Sequence, residues 1–349
     1  MAISRDKLII GGVVVLGGLS LLVYKQAQKD DALGKPTVAD ADLPTIAAPD
    51  DIDKISITNG DKPEIMLQKV ADLTAPAAEG DAGAPTKWQV VKPVKAEANQ
   101  QTAKDLVTNL HDLKVESKIN LTLDEAVRKD KQLDAAHVVH VQAWKGTDKK
   151  VDELFGKSGT AGQLFVLADK PDVVWAAKGY SASLYTKEAK DFRNKEILKF
   201  DDANATEATI INAHGTLAFA KSGDKWTATF DKKPLPHFDE SKVKDMLRAY
   251  KTLTADDFGD GKAADETGLD KPEATVSIAL AGSAPLVVQI GKVATGTNRW
   301  AKKAEGDIVY QLPGFAADWA TSDVSKYEAS GDAGATVAKP AKPKTASKK

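Results

Sequence analysis

The sequence predicts an α+β protein: two tandem repeats of an antiparallel-sheet-plus-helix domain, preceded by one N-terminal transmembrane helix. Three observations lead to this fold class. An uncharged apolar run extends from Leu8 to Tyr24. A strand-then-helix pattern occurs twice, at residues 87–113 and 225–253. Short links separate the remaining predicted strands, and such links suit antiparallel pairing better than crossover connections.

The run from Leu8 to Tyr24 predicts a membrane anchor. As a helix it would be about 25 Å long, close to the ~30 Å hydrocarbon core of a bilayer. Arg5, Lys7 and Lys25 flank it, and the charge before the run favours a cytoplasmic N-terminus. A cleaved signal peptide is the alternative, but the residues after Tyr24 lack the small-x-small pattern of a cleavage site. We therefore expect a single-pass protein of the inner (cytoplasmic) membrane, with the bulk of the chain in the periplasm.

The segment after the anchor is rich in Asp, Ala and Pro and has no periodicity, which predicts a flexible linker. The C-terminal residues are mostly Gly, Ala, Pro and Lys, which is typical of a disordered tail. The predicted organisation is residues 1–25 for the cytoplasmic end and anchor, 26–50 for the linker, 51–197 for repeat 1, 198–327 for repeat 2 and 328–349 for the tail.

Each repeat is predicted to run β-β-β-α-β-β-β-β-α. The helix of each repeat has apolar residues at i, i+3, i+4, i+7 and i+10, so one of its faces requires a sheet to pack against. Asn99 and Asp239 precede these helices and are suited to cap them. The two apolar stripes are Ala103, Leu106, Val107, Leu110 and Leu113 in repeat 1, and Val243, Met246, Leu247, Tyr250 and Leu253 in repeat 2.

Composition narrows the possible functions. The net charge of -2 and the pI near 6.3 give no basic field that would bind nucleic acid. The chain has no cysteine, which excludes disulfides and thiolate metal sites. With 42% hydrophobic residues it can bury a substantial core.

The motifs that carry chemistry are incomplete. Gly156-Lys157-Ser158 lacks the earlier glycine of a phosphate loop, because Val151 stands at that position. His137 and His140 are three apart in a predicted strand, so they point to opposite faces and do not share a metal. Residues 256–261 miss the alternating acidic pattern of a calcium loop. We therefore expect no catalytic residue, no cofactor and no metal site, and a protein that is not an enzyme.

Two tryptophans are candidates for a partner surface. Trp144 and Trp300 have no aromatic counterpart in the other repeat, and Trp144 falls on the polar face of its strand. Trp88 and Trp226 occupy equivalent positions in the two repeats, which favours a place in the core.

Several segments together resemble a known family. They are KWQVVKP at 87–93, NLHDL at 109–113, FRNKEILKFD at 192–201 and TGLDKPEATVSIAL at 267–280, followed by VVQIGK at 287–292. Over about Asp51 to Ser325 the chain resembles the bacterial domain of unknown function 4340 family. Repeat 2 keeps the family's GL-x-x-P turn at 268–272, whereas repeat 1 departs from it at 132–136.

The resemblance implies an envelope protein, often encoded beside a gliding-motility-type ABC transporter, with no established activity and no catalytic residue to carry over. We therefore expect a membrane-anchored extracytoplasmic interaction module, with protein partners in an ABC-transporter or motility-type envelope complex. The alternative is an envelope protein that binds a small molecule or glycan. A hydrolase would require Asp256, Asp257 or His237 to converge with other carboxylates on a cleft.

The tryptophans give a stability prediction from sequence alone. Trp226→Ala is expected to lower the free energy of unfolding by about 3 to 5 kcal/mol, because it empties a core position. Trp300→Ala, as a surface change, is expected to leave the melting temperature almost unchanged. Thermal unfolding of the two variants beside the parent chain measures both effects.

Overall fold

The computed structural model describes residues 52–73, 75 and 85–329. The predicted anchor from Leu8 to Tyr24, the linker and the C-terminal tail lie outside these residues. Within them, no helix is long and apolar enough to cross a membrane. The chain divides into two compact units between Asn194 and Lys195.

Unit 1 contains a nine-stranded sheet in the order β4-β3-β2-β1-β6-β7-β8-β9-β5, in which every neighbouring pair is antiparallel. Its strands are β1 (Lys54–Asn59), β2 (Ile65–Ala71), β3 (Thr86–Lys92), β4 (Ala96–Glu97), β5 (Lys114–Ile119), β6 (Val139–Lys145), β7 (Asp148–Gly159), β8 (Gly162–Leu167) and β9 (Lys170–Lys178). Its helices are α1 (Gln100–Asp112), α2 (Glu125–Asp130) and α3 (Ala182–Tyr185), with a 3₁₀ turn at Ala189–Phe192.

The helix α1 forms where its apolar stripe and its cap predict it. The Asn99 side chain accepts a hydrogen bond from the backbone N-H of Thr102 at 3.0 Å, which satisfies one free donor of the first turn. The buried residues of α1 are Ala103, Leu106, Val107 and Leu110. The Gln100 side chain bonds both the backbone N-H and the carbonyl of Trp88, at 2.8 and 2.9 Å, and thereby ties the start of α1 to β3.

One end of the unit 1 sheet is buried on both faces. Phe165 and Trp175 join the main core, whereas Leu164 and Val174 join a smaller cluster with Leu133. The chain that follows β5 covers this second face, and it was not predicted to do so. Consecutive buried residues in β8 and β9 follow from this arrangement.

Unit 2 contains a second nine-stranded antiparallel sheet, in the order β14-β13-β12-β11-β17-β18-β19-β20-β16, and a two-stranded sheet of β10 and β15. Its strands are β10 (Glu196–Lys199), β11 (Ala205–Asn212), β12 (Gly215–Ser222), β13 (Lys225–Phe230), β14 (Lys233–Pro234), β15 (Thr252–Thr254), β16 (Asp257–Phe258), β17 (Ala274–Leu280), β18 (Leu286–Val293), β19 (Arg299–Lys303) and β20 (Tyr310–Leu312). Its helices are α4 (Glu240–Tyr250), α5 (Ala264–Thr267) and α6 (Gly314–Thr321), with 3₁₀ turns at Asp202–Asn204 and Val324–Tyr327.

The helix α4 buries the predicted residues Val243, Met246, Leu247 and Tyr250 in the unit 2 core. The hydroxyl groups of the buried tyrosines in this core have acceptors. Tyr250 donates to the Ala316 carbonyl at 2.9 Å, and Tyr327 donates to the Trp319 carbonyl at 2.6 Å. A buried hydroxyl without such a partner would cost about 1 to 3 kcal/mol, so these bonds hold α4 and α6 in one arrangement.

The mixed α and β class, with mostly antiparallel sheets and few helices, is confirmed. The two-residue strands β4, β14 and β16 and the helices α2 and α5 were not predicted, because segments of this length carry too little periodicity. The six-residue β5 was also missed, since none of its residues is fully buried and it lacks a clear apolar alternation. Residues 195–197 were assigned to repeat 1, but β10 pairs with β15 and lies in unit 2.

The burial of the tryptophans differs from the expectation at one position. Trp88 and Trp226 lie in their cores, as predicted, but Trp300 is also buried, with 8% of its surface exposed. Its ring lies beside Gly259, where a Cβ atom would approach the ring to 2.9 Å. Trp300 therefore offers little surface to a partner, and the expected neutrality of Trp300→Ala no longer holds.

The burial of Trp300 reverses the stability prediction. Trp300→Ala is now expected to lower the free energy of unfolding by about 3 to 5 kcal/mol, because it leaves a cavity beside Gly259. Trp144→Ala is expected to cost about 1 kcal/mol or less, because Trp144 is only half-buried. Urea unfolding followed by circular dichroism compares the two, and equal losses would contradict the assignment of Trp300 to the interior.

Candidate functional site

A cleft of about 660 Å³ opens in unit 1 where the ends of β1, β6 and β7 meet the start of α3. We call it the unit 1 cleft. It lies at the turn between β1 and β2, at the bend after Phe155 in β7, and beside Tyr180. The side chains that matter for its chemistry are those of Asp61, Lys62, His137, Lys157, Gln163 and Tyr180.

One wall of the cleft is fixed by hydrogen bonds. Gln163 is 5% exposed, and its amide donates to the Gly156 carbonyl at 2.5 Å and to the Leu164 carbonyl at 3.1 Å. The Ser158 hydroxyl donates to the Gln163 side-chain oxygen at 2.6 Å. At Gly156 an added Cβ would lie 2.4 Å from the Lys131 carbonyl oxygen, so only glycine fits at this position without a shift of the backbone. The wall is therefore built to one shape.

The histidines are committed to single carboxylates. His137 lies in the turn before β6, not in the strand as predicted, and is 2.8 Å from Asp134, whereas His140 lies in β6 and is 2.7 Å from Asp152. Hydrogen bonding to His137 lowers the pKa of Asp134. Among the described residues no group of three or more His, Asp or Glu side chains could hold a metal ion. The residues kept open for a hydrolase, Asp256, Asp257 and His237, do not line the unit 1 cleft.

The two lysines of the cleft have no close ion-pair partner among the described residues, although the pKa of Asp130, lowered mainly by its hydrogen bond with Lys131, is lowered further by the charge of Lys157. Within the described part of the chain, neither Lys62 nor Lys157 makes an ion pair, and both are exposed. Asp61 is the acidic residue of the lining. The cleft thus presents two ammonium groups against one carboxylate.

A buried acid lies in the core close to the cleft residue Tyr180. Glu153 is 3% exposed, and its Oε2 has no hydrogen-bond partner among the described residues. Burial, with the charge of Asp152 as a smaller cause, raises the pKa of Glu153 to about 8, so its carboxyl group is mostly neutral at pH 7. Glu153 also contributes to the raised pKa values of Tyr180 and Tyr185, whose main cause is burial.

Tyr180 connects the cleft to this core. Its ring centroid lies 4.4 Å from that of Phe155 and 4.8 Å from that of Tyr185, and both pairs are stacked. The Tyr185 hydroxyl and the Trp175 indole N-H are buried without a hydrogen-bond partner in the described structure. Each such group costs about 1 to 3 kcal/mol.

Unit 2 has apolar residues at the matching positions. In the paired strands β6 and β7, Val141 stands opposite Glu153, two residues from the pair Val139 and Phe155. In β17 and β18, Val276 stands opposite Val288 in the same register, two residues from the pair Ala274 and Ile290. Val288 is fully buried. The polar core group is therefore a property of unit 1.

Unit 2 has a shallower depression of about 380 Å³, lined by Trp226 and charged residues. Three of its five charged side chains have an ion-pair partner within the unit. Lys244 lies 2.6 Å from Glu240, Arg248 lies 2.6 Å from Asp245, and Asp202 pairs with Lys251. Paired ions have less to offer a ligand, so the unit 1 cleft is the stronger candidate.

Trp144 lies on the outward face of β6, where it follows the buried Ala143. The Lys54 ammonium group is 4.3 Å from its ring centroid and that of Lys149 is 5.9 Å away. The ring is half-buried, so part of it remains exposed to solvent, and its role in a partner surface stays a prediction.

A model of a domain of unknown function, DUF4340, matches residues 88–272, just over half of the chain. The chain belongs to the DUF4340 family. The DUF4340 match begins at Trp88 in β3 and includes Glu153, Lys157 and Tyr180. No curated protein and no solved structure matches the chain.

The buried acid predicts a pH dependence of stability. The pKa of Glu153 is raised in the folded state, so the folded chain retains a proton that the unfolded chain loses above about pH 4.5. The contribution of Glu153 is therefore full below pH 4.5 and decreases by up to about 1.4 kcal/mol per pH unit until about pH 8.

Glu153→Gln removes this titration and is expected to flatten the stability profile between pH 5 and 8, relative to the parent chain. Urea unfolding at several pH values measures the slope. Asp148→Asn, a change at an exposed carboxylate of the same strand, serves as the control. An unchanged slope in Glu153→Gln would show that Glu153 ionises normally.

Proposed function

We propose that this DUF4340 protein is a membrane-anchored extracytoplasmic interaction module without catalytic activity, accessory to an ABC-transporter or motility-type envelope complex. The anchor is the uncharged run from Leu8 to Tyr24. The observation that supports a protein partner is the Trp144 ring, half-buried on the outward face of β6 and flanked by lysines. Tryptophan with adjoining cations is a common centre of protein interfaces.

The two units are, in this proposal, tandem copies of one design. Their large sheets have the same strand order when β1–β9 are matched with β11–β14 and β16–β20 in sequence and space. A capped helix follows the first four strands of each sheet. In the seventh matched strands, β7 and β18, a glycine follows a buried residue, as Gly156 and Gly291 show. Duplication explains such agreement more simply than independent origin.

The absence of catalysis is supported by the state of the candidate groups. His137 and His140 each lie against one carboxylate, and Oε2 of the core acid Glu153 has no hydrogen-bond partner among the described residues. A catalytic site needs a nucleophile, its base and a place for the reacting atom within hydrogen-bond reach.

The second candidate function is binding of a small molecule or glycan, and the unit 1 cleft supports it. A volume of about 660 Å³ falls within the ~300 to 1,000 Å³ range of ligand sites. The wall built by Gln163 and Ser158 is preformed, which lowers the entropic cost of binding.

Site-specific crosslinking tests the interaction role. A photo-crosslinking amino acid at position 144 is expected to capture a transporter subunit, identified by mass spectrometry, in membranes from the native host. The same amino acid at position 211 is the control, because Ile211 is also exposed but has no flanking cation pair. Recovery of only the uncrosslinked chain from position 144, or equal capture from both, would count against the proposal.

Membrane attachment is tested separately. The full chain is expected in the membrane fraction and to resist carbonate extraction, whereas a chain starting at residue 26 is expected in the soluble fraction. Retention of the shortened chain in the membrane would assign attachment to another part of the molecule.

A further inference from the structure

The lining of the unit 1 cleft contains two lysines, Lys62 and Lys157, that make no close ion pair with the described residues of unit 1. Asp130 is already paired with Lys131, and hydrogen bonding to Lys131 together with the charge of Lys157 lowers the pKa of Asp130. We propose that this cleft binds a small anionic ligand, carrying a carboxylate or phosphate group, through the ammonium groups of Lys62 and Lys157. The inference deepens the second candidate function above and rests on the binding role of the cleft.

The strongest support is a comparison of two lysines on matching backbones. Lys157 follows Gly156, where an added Cβ would lie 2.4 Å from the Lys131 carbonyl oxygen. Lys292 follows Gly291, where an added Cβ would lie 2.1 Å from the Thr267 carbonyl oxygen. Yet the Lys292 ammonium group donates to the Asp265 carbonyl at 2.7 Å, whereas Lys157 has no such acceptor in the described part of unit 1.

The backbone of Lys157 is nevertheless held in place. Its N-H donates to the Lys131 carbonyl at 2.7 Å, and the next residue, Ser158, is bonded to buried Gln163. The root of the lysine side chain is therefore fixed at the cleft while its charged end is available. A positioned ammonium group forms strong charge-assisted hydrogen bonds with carboxylate or phosphate oxygens.

Two further cleft positions of unit 1 are also more polar than the corresponding positions of unit 2. Ser158 and Tyr180 line the cleft in unit 1. The residues that follow the corresponding glycines in unit 2, Val293 and Phe315, are apolar and 55% and 61% exposed. At these positions unit 1 has hydroxyl side chains and a lysine whose ammonium group lacks a carbonyl acceptor among the described residues. Unit 2 has apolar side chains and a lysine that is hydrogen-bonded to a carbonyl.

The single carboxylate of the lining, Asp61, affects the binding of an anionic ligand and of a neutral sugar differently. Asp61 would repel an anion and would accept hydrogen bonds from sugar hydroxyls. Removing its charge has opposite consequences for the two ligand classes. A neutral sugar is therefore the outcome that the experiment must distinguish.

The experiment is isothermal titration calorimetry of the full chain in detergent at low salt. The probes are inorganic phosphate, glucose 6-phosphate with glucose, and galacturonate with galactose, at up to about 10 mM. We expect at least one charged member to bind and both neutral parents to give no heat of binding. Affinity is also expected to decrease as the salt concentration rises.

Four variants locate the site. Lys157→Gln and Lys62→Gln are each expected to weaken anion binding about tenfold, because each removes a charge-assisted hydrogen bond. Lys104→Gln, at an exposed lysine of α1, is the control and is expected to bind as the parent does. Asp61→Asn is expected to strengthen binding.

Equal binding of sugars and their charged derivatives, loss of binding in Asp61→Asn, unchanged binding in both lysine variants, or no binding of any charged probe would each overturn the inference. The crosslink at position 144 is read independently. Failure to bind anions with that crosslink retained overturns the anion site and leaves the interaction role standing.

Discussion

The packing of one amphipathic helix against one antiparallel sheet is the constraint on which each unit depends. In unit 1 the stripe of α1 buries Leu106 and Leu110, and in unit 2 the stripe of α4 buries Met246 and Leu247. Each of these side chains contributes about 1.5 to 3 kcal/mol when it leaves water. Neither helix is long enough to be stable alone, so the helix and the sheet face require one another.

The helices, their caps and most paired strands could be predicted from sequence because each has a strong local signal. Asn99 precedes an unbroken i, i+3, i+4 pattern, and a short turn separates Lys221 from Lys225. The short strands lack such a signal. The burial of Trp300 was missed because the absence of an aromatic counterpart says nothing about which face of β19 is covered.

The candidate site was only partly visible in the sequence. Val151, Glu153 and Phe155 alternate in β7, and the alternation places Glu153 on the buried face with its apolar neighbours. A charged residue at an inward position is a departure from the strand pattern and is the signal that could have located the polar core. The cleft itself depends on chain segments distant in sequence, which no local pattern brings together.

The two units differ in whether their buried polar groups have hydrogen-bond partners. The tyrosine hydroxyls of unit 2 find acceptors, whereas Tyr185 and Glu153 in unit 1 have buried atoms without partners. Such groups destabilise a fold, so their presence calls for an explanation. Their position around Tyr180, which lines the cleft, links the polar core of unit 1 to the surface where we place ligand binding.

The short outer strands restrict how another chain can attach. Three of the four outer strands of the large sheets, β4, β14 and β16, have two residues each, and Pro234 in β14 has no N-H to donate. The fourth, β5, carries Lys114, Glu116 and Lys118 along its length. Extension of either sheet by an added strand from a neighbour is thus disfavoured, and recognition must proceed through side chains rather than through shared main-chain ladders.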